Sequence, residues 1–297
     1  TGLCPQCGHT LHIPAELASF SCMYCGARLT KEQLAAEPPA AQEADEDRAA
    51  YYDRAVSRLG WCIKNFGGYQ KKIMRDVFFE AFETYETGCA PVIQELARGV
   101  APERQTQLLG RAAAAMLDEL EAGWQKKGDM EDEKIVLAIF FVPMVRKQQL
   151  PISEEFVTIL QKQWVERYPK SPFYLGDYES ISGGFRKKFL GLCFITTAVC
   201  QELGKPDDCE ELTAFRAFRD GYLRSQPDGE ALIREYYNIA PGIVTCINTC
   251  SDRHASYARI REEYLAPCYQ DLLAGRNESC KARYVRMVRD LEREYLS

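Results

Sequence analysis

The chain has 297 residues, of which 46% are hydrophobic and 27% charged, a composition that provides for a sizeable core and excludes disorder throughout. Its formal net charge of −6 lacks the excess of Lys and Arg that neutralises phosphates. This balance argues against a dedicated nucleic-acid binder and leaves open a local basic patch. The most apolar runs, 135–145 and 189–200, are about half as long as the roughly 20 residues that span a bilayer, so they predict buried helices and no transmembrane segment.

Two cysteine pairs near the start of the sequence have the spacing of a metal site. Cys4 and Cys7 stand in CPQCG, and Cys22 and Cys25 stand in CMYCG. Each C-x-x-C turn presents two thiolates from one loop, and the glycine that follows lets the backbone curl around the ion. Four thiolates complete a tetrahedron with no open position. The pattern therefore predicts one structural zinc ion in a small β-knuckle ribbon, residues 1–33.

The other residues of the ribbon bear on its ligands and its partner. His9 and His12 lie between the cysteine pairs and are alternative ligands, although four thiols already suffice. The ribbon has no basic stripe and few aromatic residues on which bases could stack. We therefore expect it to dock onto a protein partner rather than onto nucleic acid.

Cysteine usage also predicts the compartment. The chain has thirteen cysteines, which is an odd number, and four of them already have metal spacing. No apolar leader stands at the start of the sequence. These features predict a reducing cytoplasm rather than a disulfide framework.

Composition divides the rest of the chain into four parts. An acidic, Ala- and Pro-rich linker without apolar periodicity is predicted at 34–50, followed by an N-terminal helical region at 51–168. A connecting loop rich in Pro, Gly and Ser is predicted at 169–184, and a second helical region at 185–297. The predicted fold is mainly α, with one or two multi-helix domains preceded by the zinc ribbon.

Apolar residues recur at helical spacing through both regions. The first stripe, 52–66, ends at a Gly-Gly pair, and the second, 73–85, is expected to stop or kink at Gly88 and Pro91. Further helical segments are predicted near 102–125, 131–147, 153–167, 185–203, 208–225, 228–239, 242–250, 253–274 and 278–296.

Three short elements of the second region resemble, in order, the pattern of the bacterial CFI-box C-terminal domain family. They are CFITTA at 193–198, FRAFRD at 215–220 and YYNIAP at 236–241. The chain has Thr196 where the common family form has Ala, and Val-Cys where that form has Tyr-Gly. The resemblance implies a small-residue–Pro turn in the last element. The family has no established activity, and its place near chain ends implies a sorting or interaction role.

The middle element has the pattern of one amphipathic helix. Phe215, Phe218 and Tyr222 are spaced i, i+3 and i+7, so they form an apolar face with Arg219 and Asp220 at its side. This arrangement predicts a core helix with a solvated or salt-bridged flank. The alternative is that Arg219 and Asp220 bind an anionic group or fix the end of a neighbouring helix.

A second group of potential ligands lies in the same half of the chain. Cys246, Cys250 and His254 share one face if their helix is unbroken, and Cys200 or Cys209 would complete a second zinc site. Against this site, the Ser-Asp that precedes Arg and His is typical of a new helix cap. Free cysteines are also commonly buried as small hydrophobic residues, which is the interpretation we prefer.

The sequence contains no recognisable catalytic motif. H-E-x-x-H, Walker, G-x-S-x-G and Rossmann patterns are absent, and His254 with Cys200 or Cys250 is the only candidate thiol–base pair. We predict a non-enzymatic zinc-ribbon and helical module that binds protein through the ribbon or through a groove between helices. The alternatives are a cysteine-dependent site and membrane-surface association by 187–200, although we expect 191–200 to be a buried helix.

Overall fold

The computed structural model describes residues 2–6, 10–11, 13, 19–30, 33–34, 40–186 and 193–296. Contacts divide the chain into two compact units, Thr1–Tyr51 and Tyr52–Ser297. The two predicted helical regions therefore lie within one unit. Of the helices in the described ranges, none has the length and apolarity that a bilayer span requires.

The first unit contains short strands that pair as two antiparallel hairpins. They are β1 (Gly2–Leu3) with β2 (Thr10–Leu11), and β3 (Ser19–Ser21) with β4 (Arg28–Thr30). Leu11 and Leu29 are buried beside Cys4 and Cys22. So small an apolar cluster does not offset the conformational entropy of ordering the chain, and small modules of this kind rely on a metal or a disulfide.

Helix α1 (Ala40–Leu59) begins within the segment predicted as a linker, 34–50. The prediction was wrong from Ala40 onward. Residues 40–50 are mostly Ala, Glu, Gln, Asp and Arg, and several of these have high intrinsic helix propensity even without an apolar stripe. Residues 46–50 are exposed, so this part of α1 is a solvated helix that periodicity alone does not detect.

In the described residues, the second unit consists mainly of helices. Besides the end of α1, the helices are α2 (Trp61–Lys64), α3 (Phe78–Gly99), α4 (Gln105–Gly123), α5 (Lys127–Val136), α6 (Val142–Lys147), α7 (Ser153–Arg167), α8 (Tyr178–Arg186), α9 (Phe194–Glu202), α10 (Glu210–Asp220), α11 (Gly229–Cys250), α12 (Arg253–Ile260), α13 (Ala266–Leu273) and α14 (Asn277–Tyr295). The prediction of a mainly α fold preceded by a small strand module is confirmed.

Two helices continue through prolines at which the sequence predicted a stop or a turn. Helix α3 contains Pro91, and α11 contains Pro241. A proline inside a helix costs about 3 kcal/mol. Just beyond Pro91, however, Val92, Ile93 and Leu96 are fully buried. Each such side chain contributes about 1.5–3 kcal/mol, so burial of the stripe outweighs the proline.

Two further prolines follow π-helical turns. The turn Leu137–Phe141 joins α5 to α6, and the turn Arg261–Leu265 joins α12 to α13. Pro143 and Pro267 stand two residues after these turns. Because proline lacks an N–H, the carbonyl four residues earlier loses its usual donor, and the wider π turn re-pairs the backbone around this gap. Both predicted segments are therefore continuous helices.

An aromatic cluster joins the two predicted helical regions. The ring of Phe78 in α3 stacks on Phe185 in α8 with centroids 4.3 Å apart, and Phe140 lies 5.7 Å from Phe78. All three rings are buried. In the turn before α3, the Arg75 N–H donates to the Asn238 carbonyl of α11 at 3.0 Å. The second apolar stripe was predicted from residue 73, but α3 begins only at Phe78, and this contact lies in the non-helical part.

The second part of the predicted connecting loop, 169–184, is helical, since α8 begins at Tyr178. The Asp177 carboxylate accepts hydrogen bonds from the N–H of Ser180 at 2.8 Å and from its hydroxyl at 2.9 Å. The bond from the backbone N–H is the main reason why the pKa of Asp177 is lowered. A side-chain cap thus starts a helix in a segment whose Ser and Gly content is typical of a loop.

Candidate functional site

Three of the four predicted zinc ligands come together in the first unit. The Sγ atoms of Cys4, Cys22 and Cys25 all lie within 4.8 Å of one another, and those of Cys4 and Cys25 are 3.7 Å apart. Tetrahedral zinc with Zn–S bonds of about 2.3 Å holds its sulfurs about 3.8 Å apart, so the cluster can hold such an ion. The fourth predicted ligand, Cys7, and both ribbon histidines lie outside the described residues.

Local backbone geometry explains the position of the second cysteine pair. The chain turns back after β3, where the Gly26 N–H donates to the Cys22 carbonyl and the Cys22 N–H donates to the Ala27 carbonyl, both at 2.8 Å. Gly26 has a φ of +74°, in the left-handed region that glycine adopts without strain. This turn leaves Cys25 exposed, whereas Cys4 and Cys22 are buried.

The alternative second metal site does not assemble. The Asp252 carboxylate caps α12 by accepting from the Ala255 N–H at 3.1 Å, which ends the helical face that Cys246 and Cys250 would share with His254. The two cysteines are buried, whereas the His254 side chain is 81% exposed. Among the residues that the structure describes, the cluster in the first unit is the only one that groups three metal-binding side chains.

The candidate thiol–base pair is not brought together either. His254 Nδ1 contacts the Glu202 carboxylate instead of a sulfur. Cys200 and Cys250 are buried, and this burial raises the pKa of Cys200 to about 12 and that of Cys250 to about 11. Both thiols therefore remain protonated near neutral pH, where a protonated thiol is a poor nucleophile.

Two pairs of buried cysteines are in contact, although their spacing in the sequence does not predict it. The Cys89 thiol donates to the Cys62 carbonyl at 3.9 Å, and the Cys268 thiol donates to the Cys280 carbonyl at 3.8 Å. Hydrogen bonding to the partner thiol, followed by burial, raises the pKa of Cys62 and of Cys268. All four side chains are buried and pack as small hydrophobic residues, in line with the preferred interpretation of the cysteines outside the ribbon.

Helix α9 is buried on one face only. Ile195, Thr196 and Val199 lie in the core, whereas Phe194 and Ala198 are half-buried. The expected enclosure of the segment 191–200 is therefore correct for one side of the helix. Its first two residues, 191–192, and the basic start of the proposed membrane-surface segment lie outside the described ranges.

Arg219 connects residues from all three elements that carry the CFI-box resemblance. Its Nε and Nη2 donate to the two carboxylate oxygens of Asp220 at 2.8 and 2.6 Å. Its Nη1 donates to the Tyr237 hydroxyl at 3.0 Å and to Cys193 Sγ at 3.6 Å. These bonds to Asp220 raise the pKa of Arg219 and lower that of Asp220. The predicted salt-bridged flank is confirmed. Arg219 pairs with the carboxylate of the adjacent residue, Asp220.

The tyrosines around this cluster also use their hydroxyls. The Tyr236 hydroxyl accepts from the Ile195 N–H at 3.0 Å, so a side chain of α11 satisfies a backbone donor in the first turn of α9. The hydroxyls of Thr196 and Tyr284 are 3.1 Å apart. Burial raises the pKa of Tyr236 and of Tyr284, so both phenols stay neutral. The result is a hydrogen-bonded junction of α9, α10, α11 and α14.

A cavity of about 60 Å³ lies beside this junction, between α10, α11 and α14. Arg219 and Cys193 form part of its wall. The apolar side chains of the lining include Phe215, Phe218, Leu232, Ile233, Val285 and Val288. Sequence analysis missed this cavity because its lining comes from separate segments that each have the pattern of an ordinary core helix.

Comparison with protein-family models, with curated proteins and with solved structures gave no match to this chain. The resemblance to the CFI-box family therefore rests on its three short elements and stays a prediction. In the structure, those elements contribute Cys193, Arg219 and Tyr237 to one set of hydrogen bonds.

Proposed function

We propose that this protein is a zinc-stabilised interaction module, in which the first unit holds one structural zinc ion and docks onto a protein partner. The observation that carries the proposal is the cluster of three cysteine sulfurs beside an exposed apolar turn. Cys4, Cys22 and Cys25 supply three thiolates, and Cys7 is the proposed fourth ligand. A closed thiolate set of this kind is typical of a structural ion, which orders a module too small to fold on its own.

The turn between Cys22 and Cys25 supports the docking role. Its two central residues, Met23 and Tyr24, are 77% and 58% exposed. Met and Tyr are enriched at the centres of protein interfaces, and aromatic residues there contribute a large share of the binding energy. The net charge of −6 does not favour binding to phosphates, so a protein partner is favoured over nucleic acid.

The chemistry of the helical unit supports a non-catalytic role. The thiols of Cys200 and Cys250 are protonated, and His254 is engaged by Glu202. An odd total of thirteen cysteines, four of them in metal spacing, favours a reducing compartment, so the cytoplasm is the proposed location. A sorting or interaction role is also what membership of the CFI-box family would imply.

The experiment that tests this proposal combines metal analysis with site-specific crosslinking. The full chain, carrying the photoreactive residue p-benzoylphenylalanine at position 24, is irradiated in cells that naturally produce the protein. Val165, at the exposed surface of α7, provides the matched control position. We expect one zinc ion per purified chain and a discrete crosslinked protein for position 24 only. The crosslink should disappear in the double variant Cys22→Ser/Cys25→Ser, because the turn loses its metal.

Two outcomes would contradict the proposal at different points. The proposed zinc site would be wrong if native protein, purified under reducing conditions, contained no zinc and could not take it up. The proposed docking surface would be wrong if positions 24 and 165 gave the same crosslinking pattern.

A further inference from the structure

We propose that the cavity between α10, α11 and α14 binds the uncharged hydrocarbon part of a small molecule. The site lies in the helical unit and depends neither on the zinc ion nor on the docking turn. Three observations define its ligand: the nature of the walls, the partners of the polar groups, and the volume.

The walls of the cavity are mostly apolar and come mainly from three helices. Phe215 and Phe218 belong to α10, Ile233 to α11, and Val285 and Val288 to α14. Apolar walls of this kind offer water few hydrogen-bond partners, and their atoms lack van der Waals contacts on the open side. A hydrocarbon group supplies those contacts without having to replace ordered water.

The polar side chains at the cavity already have protein partners. Arg219 binds Asp220 and Tyr237, and Arg289 donates from Nη2 to Glu235 Oε2 at 2.7 Å. Arg289 also donates from Nη1 to Glu292 Oε2 at 3.1 Å, so both cations are already paired with carboxylates. A ligand with a charge inside the cavity would have to break one of these pairs or bury its own charge without a partner, and either would be costly. The part of the ligand that enters is therefore uncharged.

The volume limits the size of that part. At about 10–15 Å³ for each water-sized sphere, a cavity of this size takes about four to six such groups. The Arg289 side chain is 45% exposed, so this side of the cavity faces solvent. The ligand class is thus a molecule with a short aliphatic chain inside the cavity and its polar end beside Arg289.

The test measures binding of the alcohols from 1-propanol to 1-heptanol by ¹H–¹⁵N chemical-shift titration of the full chain. We expect each added methylene to tighten binding about fourfold until the cavity is filled, and no further gain beyond that length. The matched probe 1,6-hexanediol has to bury a hydroxyl, so it should bind about tenfold more weakly than 1-hexanol.

Two variants locate the site. Val288→Phe fills the cavity and should abolish saturable binding of 1-hexanol, whereas Val165→Phe makes the same change at the exposed surface of α7 and should leave binding unchanged. If Val288→Phe does not fold, as judged by circular dichroism, Val285→Phe tests the same cavity from a half-buried position. Each of three results would overturn the proposal: no saturable shifts with any alcohol, equal affinity for 1-hexanol and 1,6-hexanediol, or wild-type binding in a folded cavity-filling variant.

Discussion

At the scale of single residues, the sequence around Arg219 predicts only some of its hydrogen-bond partners. The spacing of Phe215 and Phe218 places Arg219 beside an apolar face, which predicts a salt bridge on the flank of the helix. The guanidinium is in fact nearly buried, and it bonds to Cys193 and Tyr237, which come from distant parts of the chain. A buried guanidinium needs partners for its N–H groups, and only folding brings these partners to it.

The first prediction at this scale concerns the variant Asp220→Asn, which removes the carboxylate from Arg219. Because the Asp220 side chain is 48% exposed, water screens part of the lost interaction, and we expect unfolding to become easier by about 1 kcal/mol at pH 7. Folding lowers the pKa of Asp220, so the ion pair stabilises the protein above the ordinary carboxyl pKa, and this stability is lost as pH falls through the lowered value. The difference between wild type and variant should therefore shrink as the pH falls through the lowered pKa of Asp220.

The measurement is urea unfolding followed by circular dichroism at pH 7 and at acidic pH. Glu210→Gln, which neutralises an exposed carboxylate in the first turn of the same helix, is the matched control. If both variants change the free energy of unfolding equally at pH 7, the Arg219 pair has no special role in stability.

Helix α11 shows at the element scale how packing overrides local signals. The Pro-Gly at 241–242 predicts a turn, yet the helix continues because most of its residues from Ile239 to Cys250 are buried. Gly242 has a packing reason of its own. A Cβ at this position would lie 1.9 Å from the Ile73 carbonyl oxygen and 3.1 Å from the carbonyl carbon. Glycine is therefore needed here for close approach of two backbone segments.

This contact predicts opposite effects for two Gly→Ala changes within helices. Gly242→Ala forces the Ile73 segment away from α11 and should lower the free energy of unfolding by about 2–3 kcal/mol. A Cβ added at Gly183 in α8 meets no atom within 4 Å. Gly183→Ala should therefore raise the free energy of unfolding by about 0.5–1 kcal/mol, because alanine loses less backbone entropy in a helix. Thermal and urea unfolding check both values, and a neutral Gly242→Ala would contradict the close approach.

At the scale of the whole molecule, the chain forms two units that differ in how they are held together. The first unit, Thr1–Tyr51, has a core of a few side chains around its cysteines. The second unit, Tyr52–Ser297, has one extended hydrophobic core that includes the stacked rings of Phe78 and Phe185. The second unit therefore depends on apolar burial, whereas the first is too small for this and would need the proposed zinc ion.

The double variant Cys22→Ser/Cys25→Ser tests this difference. It should release the zinc and unfold residues 1–33, since the remaining core is too small to order them. The helical circular dichroism signal and the main melting transition should stay close to those of the wild type. Ser21→Ala, an exposed change next to the cluster, is the control. Global loss of helix in the double variant would contradict the independence of the two units.

Local chemistry was enough to predict some of these features. The C-x-x-C spacing indicates a thiolate cluster, and period-3.6 stripes indicate helices, because both depend on residues close together in the chain. The folded chain was needed to reveal three features: the continuation of α3 and α11 through prolines, the start of α8 after the Asp177 cap, and the separation of His254 from the buried cysteines. It was also needed to reveal the junction around Arg219 and the cavity beside it. These features depend on burial and hydrogen bonds between residues far apart in sequence, whose free energy exceeds the local preferences.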